Sequence, residues 1–505
     1  MESENKENDS KTKEEIHEKV TENINTNQTD NLDDTQETNE EDKTKANDLI
    51  NNKDKLKEKN KEKDKNKEEN INKNKEHKKE EKEQNKAQKI LRKKKDSTNN
   101  PSVINTEDDK LSSLRNIFKY EKQNGKLKSS ILLELIKKRQ LSRGELQLSI
   151  FDENDEFRQR VKDIIDKKIH PSDKESKALA IIYGMACGDA IGSRVEFEPV
   201  SYHYNEITGP GNNAGGHFML EPGQWTDDSS MGFCLCDSFL FNNLNWDPYD
   251  CMLRYLGWWY GGYNNAFRKT ERHGSVGLGG NISQSLYSFK SHPCDYTVAG
   301  DPHTSGNGSL MRLSAIPILF HDDLEKGLEY AKKQSLVTHQ GREAAECCRL
   351  ATYIMIRGIN GEDKKTVLNT LSDFNTDEIS VKILSQSGIE NKDKYKRNWN
   401  WKDPDYRYNE YRAKLQPGYI GSYAMDCLAM ALHCVWSTNS FQEATLKAIN
   451  LRGDADSVGS LTGQIAGSFY GIYNVPKDWI ITVSSWDDFD AGIRALRLVN
   501  KKPVE

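Results

Sequence analysis

The 505-residue sequence predicts an all-α domain carried behind a long disordered tail. Two observations set the fold class: apolar residues recur at helical spacing through most of the chain beyond residue 170, and the alternation that marks strands is scarce. A third, an abrupt change of composition near residue 100, divides the part that can fold from the part that cannot.

Residues 1–105 are Lys, Glu, Asn, Asp and Thr almost throughout, with no aromatic residue before Phe118, no Gly before Gly125 and no Pro before Pro101. Such a segment cannot bury enough apolar surface to offset its chain entropy, so it is expected to be disordered. Its Lys and Glu runs nearly cancel, which argues against a dedicated nucleic-acid arm. Arg92-Lys93-Lys94-Lys95 reads as a weak nuclear address or, more simply, as part of a solvated tail. In residues 106–170 the positions Leu111, Leu114, Ile117, Phe118, Ile131, Leu132, Leu135 and Ile136 predict a helical extension without assigned chemistry. The compact domain is placed at 171–500.

Its first helix is signalled by Ser172 and Glu175, a capping box ahead of Ala178-Leu179-Ala180-Ile181-Ile182. The run from Gly184 to Gly192 is expected to end that helix in a glycine-rich turn. Further helices are predicted at 229–241, 248–260, 324–338, 341–357, 422–437, 441–449 and 457–470. The stretch from Asp373 to Gly418, with Trp399, Trp401, Tyr406, Tyr408 and Tyr411, lacks periodicity and reads as a long surface loop. All nine cysteines lie from Cys187 onward and none forms a CxxC pair. Cys234, Cys236, Cys347 and Cys348 fall in helical patterns and read as buried free thiols, which suggests a reducing compartment. The N-terminus has no apolar h-region, hence no signal peptide, and no run reaches membrane-spanning length. A soluble intracellular protein, cytoplasmic or nuclear, is the expectation.

The chemistry concentrates in two acidic clusters far apart in the chain, Thr226-Asp227-Asp228 and Asp454-Ala455-Asp456-Ser457. Two carboxylates about 4 Å apart repel by ~4 kcal/mol at an effective dielectric near 20, so four of them converging require a cation among them. Oxygen ligands favour Mg²⁺, Mn²⁺ or Ca²⁺ over zinc. In Gly453-Asp454-Ala455-Asp456 an extended backbone would point both acids to one side, with a helix beginning at about Ser457. The run after Ser457 carries small residues at spacings of three and four, the pattern of close helix packing. Taken singly, each cluster reads as an N-cap, with acids favoured by the helix dipole, before it reads as a ligand set. An EF-hand is excluded, because Val458 and Ile465 stand where oxygen ligands belong. Gly188 to Gly192, followed by Glu196, and Ser305 to Arg312 are glycine-rich segments suited to close backbone approach, to a helix or to a diphosphate. Thr338-His339-Gln340-Gly341 opens another helix.

In this order the segments resemble the ADP-ribosylglycohydrolase family over residues 176 to 482. The motifs that carry the resemblance are Gly188-Asp189-Ala190-Ile191-Gly192 with Glu196, Trp225-Thr226-Asp227-Asp228-Ser229, Gly306-Asn307-Gly308-Ser309-Leu310-Met311-Arg312, Thr338-His339 and Gly453-Asp454-Ala455-Asp456-Ser457. The resemblance implies an orthogonal helical bundle with a two-magnesium centre, manganese being an alternative, at the base of an ADP-ribose cleft. Thr226, Asp227, Asp228, Asp454, Asp456 and Ser457 would be the metal ligands. Ser457 stands where the family more often has threonine. Glu196 and Asp228 would be catalytic, and Gly306, Asn307, Gly308, Ser309 and His339 would contact diphosphate and ribose. The implied reaction is hydrolysis of the glycosidic bond between ADP-ribose and a protein side chain or small molecule. A domain that holds ADP-ribose or a related nucleotide without cleaving it is the competing reading. Gly277-Leu278-Gly279 departs from the Asp-Ile-Gly of many arginine-directed members, which leaves the acceptor open between Arg, Ser and other linkages.

Overall fold

A computed structural model describes residue 151 and residues 154–504, apart from 273, 294–295, 297–303, 390–396 and 409. The expected disordered tail and most of the helical extension lie outside the described residues. Among the described residues the secondary structure is helical with no strand, as the spacing of apolar positions predicts. In chain order the α-helices are α1 Glu156–Ile165, α2 Asp173–Gly192, α3 Asp227–Phe241, α4 Pro248–Gly261, α5 Gly280–Ser291, α6 Ala315–Leu319, α7 Leu324–Leu336 and α8 Arg342–Ile359. They continue with α9 Lys364–Asn369, α10 Ile379–Ser385, α11 Glu410–Leu415, α12 Ala424–Trp436, α13 Phe441–Asn450, α14 Ala455–Tyr470, α15 Lys477–Asp487 and α16 Asp490–Val499.

Helix α2 starts at the capping box the sequence announces: the Ser172 hydroxyl accepts from the Glu175 N–H while the Glu175 carboxylate accepts from the Ser172 N–H. It does not stop at Gly184. The glycines up to Gly192 remain helical, and the reason is on the opposing helix. Helix α14 runs antiparallel to α2 with backbone against backbone. A Cβ added at Gly184 would lie 2.2 Å from the Gly463 carbonyl oxygen, and one at Gly188 would lie 2.2 Å from that of Gly459. Seen from α14, a Cβ at Gly463 would lie 2.1 Å from the Gly184 oxygen and one at Gly467 would lie 2.4 Å from that of Ala180. Only hydrogen fits at these crossings, so the small-residue spacing of both helices is a packing code.

Around this pair one continuous apolar core forms. Helix α1 contributes Phe157, Val161, Ile164 and Ile165 to it, and Arg158 ties α1 to Asp490 of α16 at 2.9 Å. The residues 373–418 correct the expectation of a surface loop. They include α10, α11 and a 3₁₀ turn at Pro417–Tyr419, and Trp399, Trp401, Tyr406 and Tyr408 are all buried. Aromatic mass drives the burial, and the polar ends are satisfied locally. Trp401 Nε1 donates to the Leu384 carbonyl at 2.8 Å, and Tyr406 Oη donates to that of Asn398 at 2.9 Å. His433 of α12 closes this cluster, its Nδ1 2.9 Å from the Trp401 carbonyl and its Nε2 3.1 Å from Lys447 Nζ. The eight cysteines among the described residues are buried and free. Among the same residues no helix is long and apolar enough to cross a membrane.

Candidate functional site

The α2–α14 contact sets the site, because it brings the C-terminal end of α2 against the first turn of α14: a Cβ at Gly192 would lie 2.5 Å from the Ala455 oxygen and from the Asp456 Cα. Asp189, one turn before Gly192, reaches across to the start of α3. Its Oδ1 accepts from the Thr226 N–H and hydroxyl, both at 2.9 Å, and its Oδ2 accepts from the Ser229 N–H at 2.9 Å and hydroxyl at 2.7 Å. One carboxylate thus caps the N-terminus of α3 from outside the helix, which explains why Thr226 caps nothing with its own side chain. Asp189 is the residue that the sequence reading left without a role. Its signal was an acid inside an otherwise small and apolar helix end.

Helix α3 begins at Asp227 and helix α14 at Ala455, so Asp227, Asp228 and Asp456 sit in first turns and Asp454 is the N-cap of α14. Helix α14 therefore starts two residues earlier than expected, and Asp454 and Asp456 are not an extended pair. What brings them together is the turn itself. The Asp454 N–H donates to the Ile420 carbonyl at 2.8 Å, and Asn307 Nδ2 donates to Asp454 Oδ2 at 3.2 Å and to the Gly421 carbonyl at 3.0 Å.

The two acidic clusters share one buried patch. Thr226 Oγ1 stands 3.4 Å from Asp456 Oδ2, and Ser457 Oγ stands 3.3 Å from Asp228 Oδ1. Asp456 lies close enough to Glu196, Asp228 and Asp454 for their charges to repel its own. Burial raises the carboxyls of Asp227, Asp228, Asp456 and Glu196 well above the usual range, and their mutual repulsion raises them further. Asp189 and Asp454 are raised by burial too, against the pull of their hydrogen-bond donors.

Do these residues suit divalent cations? Among the described residues no group of three or more His, Cys, Asp or Glu side chains is placed to hold a metal ion as it stands. The donor set is nevertheless entirely oxygen, and two of its atoms, Asp228 Oδ2 and Glu196 Oε2, are buried without any hydrogen-bond partner. Orphaned acceptors inside a cluster of mutually repelling acids fit a hard cation, which satisfies acceptors and offsets like charge together.

The remaining residues named from sequence form the wall beside this patch. Gly306 and Gly308 pack on the His339 ring, where an added Cβ would lie 3.5 Å and 3.0 Å from His339 Nε2. His339 is buried, and burial together with the Arg312 charge pushes it down to about 3, so it is neutral. Thr338 Oγ1 accepts from Arg312 Nη2 at 2.8 Å and lies 2.8 Å from His339 Nδ1. Giving its own proton to Nδ1 satisfies all three groups, and the ring proton then resides on Nε2, facing the glycines. Asn307 is committed to Asp454. The Ser309 hydroxyl turns into the core, 2.8 Å from that of Ser335. Gly277, at φ 88°, lines the patch directly: a Cβ there would lie 2.0 Å from Asp227 Oδ1. The missing side chain at 277 is thus a steric requirement of this site.

Comparisons with known proteins point to one family. The family model described as ADP-ribosylglycohydrolase matches residues 170–504. The chain is 30% identical over 316 residues to the ADP-ribosylarginine hydrolase Tri1 of Serratia proteamaculans (strain 568), covering 62% of this chain and 76% of that protein. It is 24% identical over 313 residues to the ADP-ribosyl-[dinitrogen reductase] glycohydrolase of Rhodospirillum rubrum, covering 60% of this chain and 89% of that protein. A solved structure titled "ADP-ribosylglycohydrolase-related protein complex" superposes with a TM-score of 0.51 at 26% identity, covering 66% of this chain and 100% of the other.

Proposed function

The chain belongs to the ADP-ribosylglycohydrolase family, and on that premise we propose that it hydrolyses the glycosidic bond between ADP-ribose and an arginine side chain of a protein, with divalent cations held between α3 and α14. The observation that carries the metal reading is the buried, partnerless Asp228 Oδ2 at the centre of carboxylates that repel one another. Support for the arginine linkage comes from the similarity to the Tri1 hydrolases, at 30% and 31% identity.

Thr226, Asp227, Asp228, Asp454, Asp456 and Ser457 would hold Mg²⁺ or Mn²⁺, two ions sharing the patch. Bound there, the cations supply Lewis acidity and offset the carboxylate charge. Asp228 has no accessible surface, which suits a ligand. Glu196 lies outside the two helix starts, retains some exposure and carries a free Oε2, which suits proton transfer. Its raised affinity for a proton makes it the group that protonates the departing nitrogen as the C1–N bond breaks. Water then adds its oxygen to C1 and returns its proton to the Glu196 carboxylate, so the acid is restored. His339 Nε2–H and the glycine backbone beside it would receive the diphosphate. Asp189 touches no reacting atom. It holds Thr226 and the start of α3 in place.

A panel of peptides carrying Arg-linked or Ser-linked ADP-ribose, with magnesium or with EDTA, tests the proposal. Release of free ADP-ribose from the Arg-linked peptide only with the cation present is the expected result. Equal turnover in EDTA removes the metal, and release confined to the serine linkage removes the arginine acceptor.

A further inference from the structure

A group of aromatic rings lies beside Glu196 and has no part in the chemistry above. Phe197 follows Glu196 directly and holds a left-handed backbone, φ 66°, which a bulky residue adopts only at a cost. Its ring centre lies 5.3 Å from that of Tyr419, 5.3 Å from that of His217 and 6.4 Å from that of Phe218. Tyr419 is 52% exposed and the neighbouring Met219 64% exposed. This rim is anchored to the acidic patch through the backbone on both sides. The Phe197 N–H donates to the carbonyl of Gly453 at 2.8 Å, one residue before Asp454, and the Asp454 N–H donates to the carbonyl of Ile420, one residue after Tyr419, also at 2.8 Å.

Elsewhere near the site the protein covers its rings with its own guanidinium groups. Arg452 lies 3.6 Å from the Tyr204 ring centre and Arg407 lies 4.2 Å from that of Tyr202. Among the described residues no cationic side chain stands over Phe197, His217, Phe218 or Tyr419.

We infer that this rim is the acceptor subsite, and that Phe197 and Tyr419 hold the guanidinium of the modified arginine by stacking while the neighbouring acids attract its charge. The inference rests on the arginine reading above and names the residues that would enforce it. A planar, delocalised cation gains from a π face and from an acidic neighbourhood together, whereas a serine linkage brings no charge to the rings. The position fits as well. The leaving group has to depart next to the proton donor, and Phe197 adjoins Glu196 in the chain.

The test pairs Phe197→Gly, which suits the left-handed backbone and removes only the ring, with Tyr419→Leu, which keeps apolar bulk at an exposed position. Steady-state kinetics on an ADP-ribosylarginine peptide should show KM raised about 10-fold in the double variant with kcat retained, the scale of one well-placed cation–π contact. Calorimetry should show agmatine binding weakened to a similar degree and ADP-ribose binding unchanged. An equal loss of ADP-ribose affinity would mean that the rings stack on adenine, and an unchanged KM would mean that they contact no substrate; either overturns the inference. Wild-type protein that binds agmatine in a ring-dependent way yet leaves the arginine linkage intact would sink the proposed reaction alone. Arginine turnover that is indifferent to both substitutions would sink the rim alone.

Discussion

Replacing Gly188 by alanine probes the contact on which the site is built. The added methyl carbon would sit 2.2 Å from the Gly459 carbonyl oxygen and 2.6 Å from the Ser460 nitrogen, more than 1 Å inside ordinary contact on a backbone that cannot rotate away. Helices α2 and α14 must move apart, and overpacking of this kind costs ~1–3 kcal/mol. Alanine also favours the helix by up to ~1 kcal/mol over glycine, so the net loss should be ~1–2 kcal/mol. Urea unfolding followed by circular dichroism measures it, as a lower midpoint at an unchanged slope. Gly280→Ala is the control, since a Cβ there meets nothing within 4 Å. It should match or slightly exceed the wild type. A Gly188→Ala protein as stable as this control would show that the helices do not touch as described.

Asp189→Asn should be harmful out of proportion to its size, because the amide presents one donor group to an array of four donors. A loss of ~1–3 kcal/mol is expected in thermal unfolding, with turnover falling as Thr226 and Asp227 lose their placement. Replacing both Asp227 and Asp456 by Asn should abolish turnover while the helical circular dichroism persists. Magnesium should raise the melting temperature of the wild type, and that rise should vanish in the double variant, as differential scanning fluorimetry would reveal. His433, held down to about 4 by burial and by Lys447, is neutral when folded and charged when unfolded at intermediate pH. Its contribution, ~3 kcal/mol at most, should be complete above pH 6.5 and disappear as pH falls through 4. His433→Gln should flatten that part of the stability profile, and an unaltered slope would exclude the histidine as its source.

Helix class and the positions of α2, α3, α4, α7, α8, α12, α13 and α14 were legible because apolar spacing and capping are local: the Ser172–Glu175 box and the starts of α4, α8 and α13 need no knowledge of the partner elements. The glycines of α2 were harder to place. Locally they resemble a helix end, and only Gly459 and Gly463, far along the chain, make them an interior. Residues 373–418 misled for a related reason, since Trp401 is anchored by groups on other helices, Leu384 and His433, and leaves no periodic trace. At the site, both acidic clusters could be named from their composition. Asp189 could not, because its role exists only through the hydrogen bonds it receives from α3, and the steric necessity of Gly277 depends on where the Asp227 carboxylate points.

The antiparallel seam between α2 and α14 joins the two ends of the domain, with half of the acids carried on each side of a long intervening chain. A ribosome that has delivered everything up to Trp436 has made only half of the acidic patch, since Asp454, Asp456 and Ser457 are still to come. The patch is therefore complete only when the last third of the domain closes onto the first, a pairing of distant segments that local folding cannot supply.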